Sequence, residues 1–249
     1  MISLVFGAAL VFLRLLGFIV SAPVLNNKQL PVALKVLMAA LLTGVMLPML
    51  EAPNLTPTLG TMVAAGLWEL LLGLGLGTVT NFTVATAATA GTIADYQMGF
   101  GNSGMLNPAG DQSQPMMASF YQVLMVLVAL ATNLHLALTR ILLESFYWLP
   151  CGLPDTRHAR LLGVIAESAG NFFMASVWLA LPVTIGLLSV EVAVAFLSRL
   201  LPQMNMLIAA APVRVLAGLV LVSLSLPLTT EVMARVLQGG IDILGGLRV

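Results

Sequence analysis

The chain has 249 residues, 59% of them hydrophobic and only 8% charged, with ten basic and ten acidic side chains in balance, where ordinary soluble domains carry roughly 25% charge. So apolar a chain would leave lipid-like surface in water, which argues against a soluble fold. Zero net charge leaves no basic patch for nucleic acid, and the single Cys151 allows neither an internal disulfide nor a cysteine-built metal site.

Crossing a hydrocarbon core about 30 Å thick takes about 20 apolar residues in a helix. Charge-free stretches cover 70–94, 112–139, 168–190 and 215–230. The first three are long enough alone, and the fourth reaches by tilt or by snorkelling of Arg214 and Arg235. The composition therefore predicts an all-α integral membrane protein.

In chain order, a first helix is expected from about Ile2 to Val20, ended by Ser21-Ala22-Pro23. Residues 2–13 lack a basic leader and an Ala-x-Ala site, so this run is expected to stay as a helix. A second helix runs from about Pro31, a residue suited to a first helical turn, to Leu47. Three prolines and Glu51 mark 48–57 as a loop. The third helix starts near Thr58, reaches Phe82 and continues into a Thr/Ala-rich stretch ending at Tyr96. Four glycines among residues 99–111, with Asn107-Pro108 and Asp111, will not hold a regular helix. Gln114-Pro115 restarts a long helix to about Trp148, and 149–160 reads as the most water-compatible loop. A long helix over 161–200 and a last one over 206–237 complete the chain. Without a strong internal repeat, residues 1–249 are expected to form one membrane domain. Lys28 and Lys35 flank one turn and Arg157 and Arg160 another, too weak a bias to orient the chain.

Several charges fall inside apolar runs, where each costs ~2.5–3.5 kcal/mol unless it faces a cavity or a partner. Arg140 with Glu144, and Glu231 with Arg235, are spaced i, i+4 and can pair on one helix face. Arg14, Glu69 and Glu191 have no such neighbour. Pairing between helices, contact with another subunit and an aqueous lumen are all open to them. The stretch from Arg199 to Arg214 joins two apolar runs yet holds Pro202, Gln203, Asn205 and Pro212. Lipid cannot satisfy those groups, so protein is expected to receive them. The spacing in Gly73-Leu-Gly-Leu-Gly77 suits close helix packing and lacks the lysine and strand of a phosphate loop.

Enzyme readings find little support. Gly101-Asn102-Ser103-Gly104 with His135 or His158 invites comparison with rhomboid-type proteases, because a nucleophilic serine needs a base within hydrogen-bond reach. His158 belongs to a polar loop, and His135 sits in Asn133-Leu-His-Leu without the small neighbours of a tightly packed catalytic helix. The Gly-x-Gly-Asp element of aspartyl intramembrane proteases is missing, and two histidines with one cysteine make a poor metal centre. A secondary transporter would break helices in corresponding places of two halves. The glycine-rich break at 99–110 has no such counterpart.

Arg14-Leu-Leu-Gly-Phe-Ile-Val-Ser-Ala-Pro23 is followed by Pro31 and Lys35, then Glu69 to Gly77, and Ala90-Gly-Thr-Ile-Ala-Asp-Tyr-Gln-Met-Gly99. Asn107-Pro108, Asn133-Leu-His135, Ser145-Phe-Tyr-Trp-Leu-Pro150, Arg199-Leu-Leu-Pro-Gln-Met-Asn205 and Pro212-Val-Arg214 follow in order. Over essentially the whole chain, this set resembles the FliR family of flagellar type III export-gate proteins and its injectisome relatives of the SctT type. Gln97-Met-Gly99 and the Asn-x-His element look more like the flagellar branch. Leu134, Asn107 and Arg214 depart from the flagellar pattern, and the injectisome alternative stays open.

The resemblance implies a subunit without enzymatic activity or cofactor, assembled from long helical hairpins with FliP-like and FliQ-like partners and FlhA-like and FlhB-like export proteins. Unfolded export substrates would pass through the shared lumen, in the bacterial inner membrane and partly raised toward the periplasm. It places a plug in Gly99, Phe100, Gly101, Asn102, Ser103, Gly104, Met105, Leu106, Asn107 and Pro108. Glycine allows tight turns there, and Phe100, Met105 and Leu106 supply apolar bulk. An ordinary interhelical loop is the other reading. Arg14, Glu69, Asp95, Glu191, Arg199, Pro202, Gln203, Asn205, Pro212 and Arg214 are expected as subunit contacts.

Overall fold

A computed structural model describes residues 2–23, 31–47, 58–100, 115–152, 159–200 and 206–246. The described residues form helices and no strand: α1 (Ile2–Ser21), α2 (Val32–Met46), α3 (Leu59–Met98), α4 (Met116–Ala131), α5 (Leu134–Trp148), α6 (Ala159–Leu200) and α7 (Met206–Gly245). The all-α membrane class holds. Three helices are long and apolar enough to cross a membrane, or up to four if α4 and α5 count as one broken span.

The Thr/Ala-rich stretch continues α3 without a break, and two of its threonines turn their hydroxyls onto their own backbone. Thr83 Oγ1 donates to Val79 O (3.1 Å) and Thr92 Oγ1 to Ala88 O (2.9 Å), which satisfies the hydroxyls without a partner helix.

Two expectations change. The helix expected over 115–148 is interrupted at Thr132-Asn133, where Asn133 takes φ 55°, the left-handed region that asparagine tolerates better than most residues. Thr132 Oγ1 donates to Val128 O and Ala129 O as α4 ends. The last helix, expected to stop near Leu237, runs on to Gly245. Gly239 and Gly240 lie inside the helix and do not end it, and at Gly240 the missing side chain makes room for Thr83. A Cβ there would come within 2.5 Å of Thr83 Oγ1.

The chain divides into two compact units, one of residues 1–83, 133–170 and 238–249, the other of 84–132 and 171–237. In the first unit, Val11, Leu15 and Ile19 of α1 pack with Leu72, Leu76 and Val79 of α3 and with Ile141, Leu142 and Phe146 of α5. The α1–α3 crossing is backbone to backbone. A Cβ on Gly73 would sit 2.1 Å from Arg14 O, and one on Gly17 would sit 2.6 Å from Leu70 O. The glycine spacing thus packs helices as its pattern suggests.

In the second unit, Tyr121 and Met125 of α4, Leu179, Val183 and Leu187 of α6, and Val222 and Met233 of α7 are buried. The Tyr121 hydroxyl is engaged by Thr229 and Ser225. Elsewhere α6 and α7 present large apolar side chains outward, among them Phe173, Trp178, Leu188, Leu216 and Leu224.

Candidate functional site

Among the described residues, polar side chains of the expected contact set meet partners at three places. The first is inside the first unit. Arg14 in α1 and Glu69 in α3 are both 0% exposed, with Nε donating to Oε2 at 2.5 Å. The rest of the guanidinium reaches the end of α5: Nη1 donates to Ser145 O (3.2 Å) and Nη2 to Leu149 O (2.8 Å). A cation on the carbonyls that close a helix satisfies orphan acceptors and complements the helix dipole. Phe146 lies beneath it, its ring centre 4.4 Å from Cζ. The second carboxylate oxygen of Glu69 accepts the Gly152 N–H at 3.0 Å.

One ion pair therefore pins α1, α3, the end of α5 and the turn after it. The half-buried Cys151 sits in that turn. Burial pushes its thiol up to about 12; the Arg14 charge works against that shift and Glu69 with it. So weakly ionised a thiol is a poor nucleophile.

The second place is the junction of α3 and α4. Asp95 is fully buried, and its Oδ1 and Oδ2 accept the Met117 and Ala118 N–H groups, each at 3.0 Å. After α3, Gly99 turns the chain with φ 92° and is exposed, while Phe100 is half-buried. Among the residues expected to form a plug, Gly101, Asn102, Ser103, Gly104, Met105, Leu106, Asn107 and Pro108 lie outside the described residues.

The third place is where α6 and α7 approach the connection between them. Arg214 Nε lies 3.8 Å from Glu191 Oε1, with side chains 37% and 42% exposed. That separation is an ion pair without a hydrogen bond. The Arg214 Nε atom is itself buried and meets no hydrogen-bond acceptor among the described residues. Arg199, in the last turn of α6, and Pro212, inside α7, are exposed. Pro202, Gln203 and Asn205 lie outside the described residues.

Of the residues expected to touch other subunits, Arg14 and Glu69 come together, Asp95 binds the start of α4, and Glu191 meets Arg214. The i, i+4 pairs Arg140–Glu144 and Glu231–Arg235 form at 2.8 and 2.6 Å. The carbonyls of Ser145 and Leu149 and the N–H of Gly152 escaped the sequence reading, since backbone groups leave no mark in side-chain identity. The nearest signal was Ser145-Phe-Tyr-Trp-Leu-Pro150, which ends a helix beside a proline. Among the described residues no group of three or more His, Cys, Asp or Glu could hold a metal. Ser103 and His158, two members of the protease reading, lie outside them.

Residues 5–240 match the sequence profile of the family described as bacterial export proteins, family 1. The chain is similar to the flagellar biosynthetic protein FliR of Pectobacterium carotovorum subsp. carotovorum, at 29% identity over 95% of this chain and 90% of that protein. It is similar to the protein of the same name from Escherichia coli K12, at 28% identity over 87% and 82% of the two chains. With that of Bacillus subtilis 168 it shares 22% identity over 96% and 93%.

Proposed function

We propose that this chain, which belongs to the bacterial export proteins, family 1, is a non-enzymatic subunit of a type III protein export gate of the flagellar kind. It completes a helical channel with FliP-like and FliQ-like subunits, next to FlhA-like and FlhB-like export proteins. Unfolded substrates cross the bacterial inner membrane through the shared lumen, and the assembly is partly raised toward the periplasm.

The observation that carries this reading is helix length. α3, α6 and α7 have 40, 42 and 40 residues, or roughly 60 Å each at 1.5 Å per residue. That is about twice the hydrocarbon thickness. Outward-facing apolar side chains nevertheless occur near both ends of α6, from Leu162 through Trp178 to Phe196 and Leu200. Lipid cannot cover all of such a helix at once unless it tilts by about 60° from the membrane normal, far beyond the usual ~20°, so neighbouring protein is the natural cover.

The loosely held charges support the same reading. Arg214 stays 37% exposed in a long 3.8 Å contact with Glu191, and Arg199 is exposed at the end of α6. With Glu191 and Pro212 they meet a neighbouring subunit, a role also given to Pro202, Gln203 and Asn205, which lie outside the described residues. Arg14, Glu69 and Asp95 serve assembly from inside, by fixing the helices that carry it. Residues Gly99–Pro108 plug the resting lumen. Gly99, already left-handed, turns the chain out of α3, and Phe100, Met105 and Leu106 provide bulk that excludes water.

Deleting Phe100–Leu106 should leave co-purification with the FliP-like and FliQ-like subunits intact and raise the permeability of cells expressing the complex to small solutes. Unchanged permeability in an assembled complex removes the plug. Failure of the parent chain to co-purify with helical membrane partners removes the conduit. A stable monomer with uptake activity would favour a transporter.

A further inference from the structure

The start of α4 has an unusual cap. Its first four N–H groups need acceptors from outside the helix, and the residue before the helix normally provides one through a Ser, Thr, Asp or Asn side chain. Here that residue is Pro115, which makes no side-chain cap bond. The acceptors come instead from Asp95 in α3, 22 residues before Met117 and 23 before Ala118. Its two oxygens serve the two N–H groups separately. A carboxylate at a helix N-terminus also gains from the positive end of the dipole, and hydrogen bonds to a charged acceptor are among the stronger ones.

Gly91, one helical turn before Asp95, brings the two backbones together at the same spot. A Cβ there would come within 2.5 Å of Met117 O and 2.6 Å of Ala118 Cα. Backbone contact and carboxylate thus act on the same two residues.

We propose that Asp95 is a clasp, a positioning residue that holds the end of α3 and the start of α4 at a fixed separation. The chain that leaves α3 at Gly99 and returns at Pro115 then does so from anchored ends. The consequence for export rests on the plug reading, because that segment includes the plug. The clasp itself rests on the Asp95, Gly91, Met117 and Ala118 contacts alone.

The test uses the full chain in its purified membrane complex, with Cys151→Ser as the background. Amide exchange is read at Met117 and Ala118, and a spin-label distance is read between Cys substitutions at the exposed Tyr96 and Phe120. Asp95→Asn should speed exchange at both amides about tenfold or more, as loss of charge-assisted bonds implies, and should broaden the distance distribution. Adding Pro115→Asp gives α4 a cap of its own. It should restore amide protection and leave the distance broad.

Three results overturn the proposal: parental exchange in Asp95→Asn, faster exchange with an unchanged distance, or a Pro115→Asp rescue that restores both. Should the Asp95 variants fail to fold, Gly91→Ala carries the same test, because its methyl group pushes against Met117 and leaves Asp95 in place. It should loosen both amides and broaden the distance, and parental behaviour overturns the clasp. Neither readout measures permeability, so the clasp and the plug fail separately.

Discussion

Among the described residues, the inter-helix ion pairs Arg14–Glu69 and Glu191–Arg214 use the same chemistry in opposite ways. Arg14 and Glu69 have no exposed surface, touch at hydrogen-bond distance and spend their remaining donors and acceptors on backbone groups of Ser145, Leu149 and Gly152. Glu191 and Arg214 stand 3.8 Å apart, each more than a third exposed, and the buried Arg214 Nε donates to nothing described. A charge that cannot reach water must be satisfied where it lies, so the first pair is architecture. The second pair is long and keeps both side chains partly open to the outside, as suits a surface completed by another molecule.

The sharpest way to break this contrast is to remove half of the first pair. Arg14→Ala leaves Glu69 buried without its counter-charge and strips the acceptors at the end of α5. Such removals cost about 3–5 kcal/mol, so thermal or denaturant unfolding in detergent should show a large loss of stability against the usual total of about 5–15 kcal/mol. The double change Arg14→Met with Glu69→Leu removes the charges together. It should recover most of the loss, since apolar replacement of a buried pair is often close to neutral. A double variant as unstable as the single one would mean that the bonds to Ser145, Leu149 and Gly152, and not the stranded charge, carry the cost.

This pair also shows how far a sequence can be read. Arg14 and Glu69 could each be recognised as misplaced in an apolar run, but nothing in their spacing names them as partners, because 55 residues separate them. Arg140–Glu144 and Glu231–Arg235 were legible because helical periodicity alone brings them together. The seven helices of the described residues were mostly legible from apolar runs, prolines and glycines. The break at Asn133 was not, since one residue in the left-handed region leaves no trace in hydropathy. Asp95 was visible as an isolated acid, but its role as a cap depends on α4 lying beside α3, a tertiary fact. The order of motifs carried the family, while the positions of partner groups needed the fold.

A milder probe of the buried pair is Cys151, whose surroundings it helps to set. The thiol stays protonated in the folded chain until about pH 12, above its ordinary value of 9.0. Folding therefore favours the neutral thiol, and this contribution to stability is present below pH 9.0 and fades as the pH rises toward 12. Alkylation by iodoacetamide at pH 9 should be slow in the folded complex and fast once it is unfolded. Arg14→Ala should raise the rate only by opening the turn at 149–152, because losing a nearby cation on its own pushes the thiol further up. Rapid alkylation of the intact parent would show that the turn does not shield Cys151.

The smallest effect on stability should come from the second pair. Arg214→Ala breaks a contact that is long, partly hydrated and screened by salt, and exposed pairs of this kind are worth ~0.2–1 kcal/mol. Unfolding of the isolated chain should barely move, and Glu191→Gln should behave alike. Assembly should respond differently if the exposed parts of Arg199 and Arg214 meet a neighbour. Arg199→Ala with Arg214→Ala should lower co-purification of the FliP-like and FliQ-like subunits while leaving the isolated chain's stability near the parent's. That separation is what distinguishes a docking surface from internal architecture, because removing a structural contact lowers stability and assembly together. A double variant that assembles normally would leave the exposed pair as a weak internal bridge between α6 and α7, and would place the receiving surface elsewhere on their outward apolar faces.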